Sequence, residues 1–473
     1  MSDLSVHAPA PSNGAIQIAV VGHTNAGKTS LLRTLTRRAS FGEVSDRAGT
    51  TRHVEAIDLR VDGAPAVRFF DTPGLEDSVA LWDYLQALDA PSRLDAVRLF
   101  LQGPEARASF EQEAKVVRKM LDVDAAFYVI DCREPVLPKH RCEIEILASC
   151  ARPVMPVLNF VRDAASREAE WQAALAASGL HAQARFDAVA PFVGSELQLY
   201  QDLATLLPAL RARLRGIAEH LQREAAARRQ SACRAIADLL VRLCALRRGV
   251  PDDVYADEAR RRQAVHDFQQ LAFGYVRATA DALLQIHGFR DDDAVLAQLP
   301  WQDGRWASDL FHPETLRQAG KRLGVGAAVG ASIGVAADLA VAGVSLGAGA
   351  ALGGAIGGIA SQGWRQFGGK LLNRIRGVHE LTLDNELLFL VAMQLLGLTR
   401  ALDQRGHAAL GTLVQGLGGN SAMDQPLKRI VHLLQPARSH PEWETPKRDS
   451  ATRQRLVDAA AAQLDPLAIT LAP

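Results

Sequence analysis

Residues 15–30, AIQIAVVGHTNAGKTS, constrain the fold of this chain more than any other stretch. Ile16, Ile18, Val20 and Val21 form a short β-branched apolar run, which predicts a buried strand. Gly22-His23-Thr24-Asn25-Ala26-Gly27-Lys28-Thr29 then fits G-x-x-x-x-G-K-[ST] in full. Strand, glycine-bounded loop and helix start, in that order, make a phosphate cradle. Backbone N–H groups of the loop and of the helix N-terminus point at phosphate oxygens. Gly22 and Gly27 let the backbone turn tightly and come close. Lys28 is placed to reach the outer phosphates, and Thr29 to ligate Mg²⁺. Thr24, Ala26 and Ser30, with His23, complete the candidate binding loop.

The remaining chain must be read against that loop. A length of 473 residues predicts two or three domains. Basic and acidic residues balance at 53 each, so the whole chain carries no field that would gather nucleic acid, and none is expected as a partner. Cys132, Cys142, Cys150, Cys233 and Cys244 form no C-x-x-C pair. They read as buried thiols in a reducing cytosol rather than as a zinc or disulfide framework. The first 14 residues have neither the basic nor the apolar region of a signal peptide and read as a disordered tail.

Past the loop, Leu31, Leu32 and Leu35 predict a helix. Residues 53–60 and 66–70 read as strands around an Asp62-Gly63 turn. The second runs into Asp71-Thr72-Pro73-Gly74, 43 residues beyond Lys28. An aspartate at a strand tip before a tight turn suits Mg²⁺ beside a terminal phosphate. Between residues 74 and 125 the helices expected at 78–89 and 109–121 exceed what a bare nucleotide domain needs.

The loop, V-S-D-R-A-G-T-T-R at 44–52 and D-T-P-G-L-E at 71–76 resemble the Era and TrmE class of bacterial GTPases. Residues 125–131 and 152–159 resemble that class's next two strands, and the resemblance covers about 15–210. It implies GTP and GDP as ligands with Mg²⁺, Thr51 as a switch threonine on the metal, and Gly74 meeting the terminal phosphate through its N–H. Asn25 matches the asparagine with which members hold an activating K⁺; its other reading is a loop-stabilising amide. Three departures stand out. The guanine-reading N-K-x-D is Asn159-Phe160-Val161-Arg162-Asp163, with Asp163 one position late. The S-A-K stretch keeps only Ala188. Leu75 stands where Ras-like enzymes carry a water-orienting glutamine, which leaves K⁺, Glu76, Asp77 or a partner to support hydrolysis.

After residue 210 every periodic segment reads as helical. Ten arginines against three acids between 205 and 250 read as a solvated helix face, or as an attraction for anionic lipid or RNA. Residues 323–363 change character, with 12 glycines and Asp338 as the one charge. Small residues at every fourth position suit close helix packing, and basic residues flank both ends. Two placements stay open for this hairpin: against the inner membrane, or buried in protein.

The expected architecture is an α/β P-loop GTPase domain on a mostly parallel sheet, followed by an all-α C-terminal domain. Its parts are a tail (1–14), the GTPase domain (15–210), a helical domain (211–322), the apolar hairpin (323–363), more helices (364–437) and a polar tail (438–473) that ends in an Ala-rich helix. That layout resembles bacterial GTPases whose C-terminal half is a domain of unknown function. The expected activity is slow hydrolysis of GTP as a switch, with Lys28, Gly74 and Glu76 at the reacting phosphate. Gly22, His23, Thr24, Asn25, Ala26, Gly27, Lys28, Thr29, Ser30, Thr51, Asn159 and Asp163 bind the nucleotide, and Thr29, Thr51, Asp71 and Asn25 hold the metals. A protein partner or a G-domain dimer stays open. The expected location is cytoplasmic, at the membrane's inner face if the hairpin inserts. The rivals are an Era-like ribosome or RNA factor and a nucleotide-binding scaffold with little turnover.

Overall fold

A computed structural model describes residues 14–37, 54–188, 191–192, 194–289, 344–346, 378–403, 423–445 and 450–469. Thr51 with the rest of 44–52 lies outside the described residues, as does 323–363 except for 344–346. The chain forms two compact units, one built mainly from residues up to Ala225 and the other from Ala226 onward.

In the first unit, β1 (Ile16–Val21), α1 (Lys28–Thr36), β2 (Glu55–Val61) and β3 (Ala64–Asp71) come first. Three helices follow, α2 (Ser78–Ala87), α3 (Arg93–Gln102) and α4 (Glu111–Asp122). Then β4 (Ala125–Asp131), α5 (Pro138–Ser149), β5 (Val154–Asn159), α6 (Glu168–Ala177), β6 (Ala184–Arg185), α7 (Ser195–Leu206) and the start of α8 (Arg211–Ala245) complete the unit. The sheet order is β2-β3-β1-β4-β5-β6, parallel except for β2. The run AAFYVID of β4 and VMPVLN of β5 is apolar nearly throughout, as a parallel strand covered on both faces must be. The edge strand β2 instead alternates, burying Ile57 and Leu59.

Two apolar layers sandwich the sheet. On one face Leu31 and Leu35 of α1 and Leu199 and Leu203 of α7 meet Ile18, Val20, Phe69, Phe127 and Val157. On the other, Leu81, Phe100, Met120, Ile144 and Trp171 meet Ala19, Val21, Tyr128 and Leu158. The extra helices α2 and α3 are thus part of the core. Leu214, Ile217 and Leu221 of α8 join the first layer, so this unit runs past residue 210. Parallel strands bring β1, β3, β4 and β5 to end on one side, and the strand order turns about β1, where open α/β sheets form their binding crevice.

The second unit is helix-rich. The end of α8 packs with α9 (Asp252–Ala256), α10 (Glu258–Ile286), α11 (Asn385–Asp403), α12 (Asp424–Leu433) and α13 (Ala451–Ile469) around one core. It also holds a small antiparallel sheet that the helical periodicity did not anticipate. Strands β7 (Arg247–Pro251), β8 (Val344–Leu346) and β9 (Val378–Leu383) pair in the order β7-β9-β8. At 344–346, inside the segment read as a helical hairpin, the backbone is therefore a strand. The segment 438–473 is not a tail. Its polar average hides a stripe, Arg453, Val457, Ala460, Leu464 and Leu467, at three- and four-residue spacing, which α13 buries. Trp443 is buried beside it. Helix α11 is long and apolar enough to cross a membrane by composition, with mean hydropathy 1.3, but 67% of that window is buried inside the protein.

Candidate functional site

The loop after β1 is shaped by its glycines and by one asparagine. Gly27 has φ +94°, and a Cβ there would sit 2.3 Å from Asn159 Nδ2. Gly74, arriving from β3, approaches the loop so closely that its Cβ would lie 2.3 Å from Thr24 Oγ1. Asn25 adopts φ +65°, a left-handed conformation that asparagine tolerates better than most residues. Its side chain is exposed, and among the described residues it has no hydrogen-bond partner.

Lys28 opens α1 and is buried at 7% exposure. Its ammonium donates to the carbonyls of Gly22 (3.2 Å) and His23 (3.0 Å). Burial lowers its pKa, against the opposing pull of Asp71, Glu143 and Glu76. On the next residue, Thr29 Oγ1 donates to Asp71 Oδ2 at 2.5 Å. Asp71 stands at the end of β3, directly opposite Val20 of β1. It is 1% exposed, and burial pushes its carboxyl pKa up, opposed by the Thr29 bond and by Lys28.

Two buried polar atoms here lack any hydrogen bond, Asp71 Oδ1 and Thr24 Oγ1. A fold does not leave polar atoms bare without cost, so each marks a place where a ligand would supply the partner. The Thr29–Asp71 pair fits Mg²⁺: both are hard oxygen donors, and Mg²⁺ shared with phosphates needs only one or two protein ligands. Among the described residues no group of three or more His, Cys, Asp or Glu could hold an ion alone.

On the base side, Asn159 ends β5 and is buried. Its Nδ2 donates to Ala26 O (3.0 Å), and its Oδ1 accepts from Phe160 N (3.0 Å) and Ala188 N (2.9 Å). One side chain thus ties the phosphate loop to both base-side loops. Phe160 is left-handed, φ +56°, with the Arg133 guanidinium 3.8 Å from its ring centre. Asp163 is exposed, and its Oδ1 closes a local turn by accepting from Ala165 N at 2.8 Å. Arg162 lies 4.3 Å from the Phe192 ring.

The structure therefore gathers Gly22, His23, Thr24, Asn25, Ala26, Gly27, Lys28, Thr29 and Ser30 on one loop and first helical turn. Asp71, Gly74 and Asn159 meet that loop, whereas no described contact of Asp163 reaches it. Leu75 is fully buried, and the Glu76 side chain is exposed. Asp77 is spent as the N-cap of α2, accepting from Ala80 N. Sequence reasoning missed two buried acids, Glu113 and Glu143. Glu113 Oε1 accepts from the backbone N–H of Glu76 (3.2 Å) and Asp77 (3.0 Å). Glu143, on α5, accepts from Tyr128 OH at 2.7 Å and faces His23. Each looks like an ordinary helix acid locally; only the packing shows otherwise.

Comparison with known proteins agrees with this geometry. Residues 17–160 match the family described as "50S ribosome-binding GTPase", and residues 172–462 match a domain of unknown function, DUF3482. The tRNA modification GTPase MnmE of Cereibacter sphaeroides is 38% identical over 112 residues, 23% of this chain and 26% of that protein. MnmE of Beijerinckia indica is 29% identical over 179 residues, covering 38% of this chain and 32% of that one. The chain thus spans about a quarter to a third of the length of these curated relatives. Among solved structures, Aquifex aeolicus Era bound to GDP and AlF4⁻ is 19% identical, with a TM-score of 0.28, covering 37% of this chain and 52% of that one. With the DUF3482 match running over more than half of its length, this chain belongs to the family of that domain of unknown function, joined here to an N-terminal P-loop GTPase domain.

Proposed function

We propose that this protein binds GTP and hydrolyses it as a molecular switch whose state is passed to the helix-rich unit. One observation carries the reading: beside the buried Lys28, Asp71 Oδ1 and Thr24 Oγ1 lack partners that a phosphate and its cation would supply. Water attacks the γ-phosphorus, the bond to the β–γ bridging oxygen breaks, and GDP and phosphate leave. Lys28 shifts its donated bonds from the Gly22 and His23 carbonyls to phosphate oxygens. Loop N–H groups and Gly74 N–H hold the transferred group. Thr29 and Asp71, with Thr51, would hold Mg²⁺, which would supply positive charge to the transferred phosphoryl group.

The Leu75 side chain offers no polar atom to orient water, so turnover falls to a K⁺ ion held by Asn25, to Glu76 or to a partner. Phosphate release from GTP is the test. Lys28→Ala is expected to abolish nucleotide binding in a folded protein, and K⁺ to raise turnover over Na⁺, with Asn25→Ala removing the difference. Wild-type affinity in Lys28→Ala would sink the phosphate-loop assignment. Equal rates in the two salts would move catalysis to Glu76 or a partner. The local turn of Asp163 supports weak guanine discrimination, so GTP is preferred over ATP by less than the roughly 1–3 kcal/mol of a good bidentate base pair. GTP binding without phosphate release would favour the scaffold reading, which buried Leu75 also suits. On sequence grounds alone, we place membrane contact in the residues of 323–363 on either side of β8, at the cytoplasmic face.

A further inference from the structure

His23, the second residue of the phosphate loop, is bound on both ring nitrogens. Its Nδ1 lies 3.0 Å from Glu143 Oε1 and 3.2 Å from the backbone oxygen of Leu75. Its Nε2 lies 2.8 Å from Lys139 Nζ. Two acceptors face Nδ1 and a donor faces Nε2, so a neutral ring carries its hydrogen on Nδ1. Glu143 is fully buried and shares its other oxygen with Tyr128 OH. The Tyr128 hydroxyl, its pKa raised first by burial and then by Glu143, stays a donor.

Leu75 follows Gly74, whose N–H faces the terminal phosphate in the proposed mechanism. Its carbonyl is held by His23, and the next two amides, Glu76 N and Asp77 N, by Glu113 Oε1. Three consecutive residues of the segment after β3 are therefore gripped through two buried carboxylates, from α4 and α5.

We propose that His23, oriented by Glu143 and Lys139, is a positioning residue that ties the phosphate loop to the Leu75 carbonyl and so fixes where the Gly74 N–H points. Phosphate-loop occupancy and the segment that starts α2 are then joined by one imidazole. This rests on the GTPase reading for its catalytic consequence, but the tie itself is a property of the folded chain.

The test uses two substitutions of similar size. In His23→Asn the amide nitrogen stands near the position of Nδ1 and can still donate to Leu75 and Glu143. In His23→Gln the nitrogen stands near Nε2 and cannot. Amide hydrogen exchange of residues 75–78, without nucleotide, is expected to rise about tenfold in His23→Gln and to stay within about twofold of wild type in His23→Asn. With GTP, kcat is expected to fall about tenfold in His23→Gln with KM little changed, because the aim of a transition-state contact is lost rather than ground-state binding, and His23→Asn restores it. ¹⁵N NMR of the wild-type imidazole is expected to show Nδ1 protonated. Equal exchange in both variants, an Nε2-protonated ring, or raised exchange with unchanged kcat each overturns the proposal. A wild-type protein that binds no GTP overturns the functional reading instead, and the exchange comparison still decides the tie.

Discussion

Asp71 shows what burial costs a carboxylate that would hold the cation in the proposed site. The carboxylate is buried, pays desolvation, and recovers only part of it from Thr29 Oγ1 and Lys28. Its folded pKa lies above the unfolded one, so the ligand-free fold binds that proton more tightly than the unfolded chain does. Its contribution therefore favours folding at low pH and is lost as pH rises from the ordinary carboxylate range through the raised value. Asp71→Asn is expected to raise the Tm of the nucleotide-free protein at neutral pH by roughly 2–4 °C, the shift that about 1 kcal/mol makes in a domain of this size. The same variant loses the stabilisation that Mg²⁺ and GTP together give the wild type. Calorimetry with and without ligand checks both, and a lower Tm without ligand would contradict the burial argument. The loop residues were legible because their chemistry is local: spacing alone placed Lys28, Thr29 and Asp71. Asn159 was legible by motif, but its grip on Ala26 and Ala188 was not, since it spans 133 and 29 residues. Asp163, one position past the motif, closes a local turn with Ala165 N, a placement that no motif spacing foretells.

Among the elements, strong periodicity was read correctly and weak periodicity was not. The β1, β4 and β5 runs are continuous and apolar, and α11 is strongly apolar, so each announced itself. Strand β7 is Arg-Arg-Gly-Val-Pro, with only Val250 buried, and no alternation marks it as a strand. It exists because β9 pairs with it, a contact 133 residues distant at Arg248 and 131 at Gly249 that no local pattern encodes. Helix α13 was legible as a final Ala-rich helix but not as a buried one, because its stripe begins with an arginine. Arg453 is 2% exposed, donates to Asp238 Oδ1 at 2.7 Å and to the Trp443 carbonyl at 3.2 Å. Replacing it with alanine strands that carbonyl and empties its space. Arg453→Ala is expected to destabilise the helix-rich unit by about 2 kcal/mol, the scale of a lost charge-assisted bond. Urea unfolding followed by Trp443 fluorescence reads this. An unchanged midpoint would mean that α13 contributes little to its core.

For the molecule as a whole, the chain divides near Ala225, within α8, into two compact units. A fragment of residues 14–225 is expected to fold and bind GTP. One ending at 210 loses Leu214, Ile217 and Leu221, each worth about 1.5–3 kcal/mol of burial, and is expected to melt at least 10 °C lower. Equal melting temperatures would show that α8 adds nothing to this core. The glycine-rich stretch is tested by its own removal. Deleting 323–363 is expected to move the protein from the membrane fraction to the soluble one while GTP affinity holds. Flotation of the full chain with liposomes is the direct measurement. A protein that never floats refutes membrane contact.

Buried Leu75 has a consequence in time. Under the proposed hydrolysis, a site with no side-chain dipole beside the attacking water would turn over no faster than the intrinsic scale of about 10⁻⁴–10⁻² s⁻¹. A charged molecule would then persist for minutes to hours, long enough to diffuse throughout a cell many times over before it resets. What is stored in that reading is a count of loaded molecules, and whatever supplies the missing polarity, an ion, Glu76 or a partner, would decide when that count is erased.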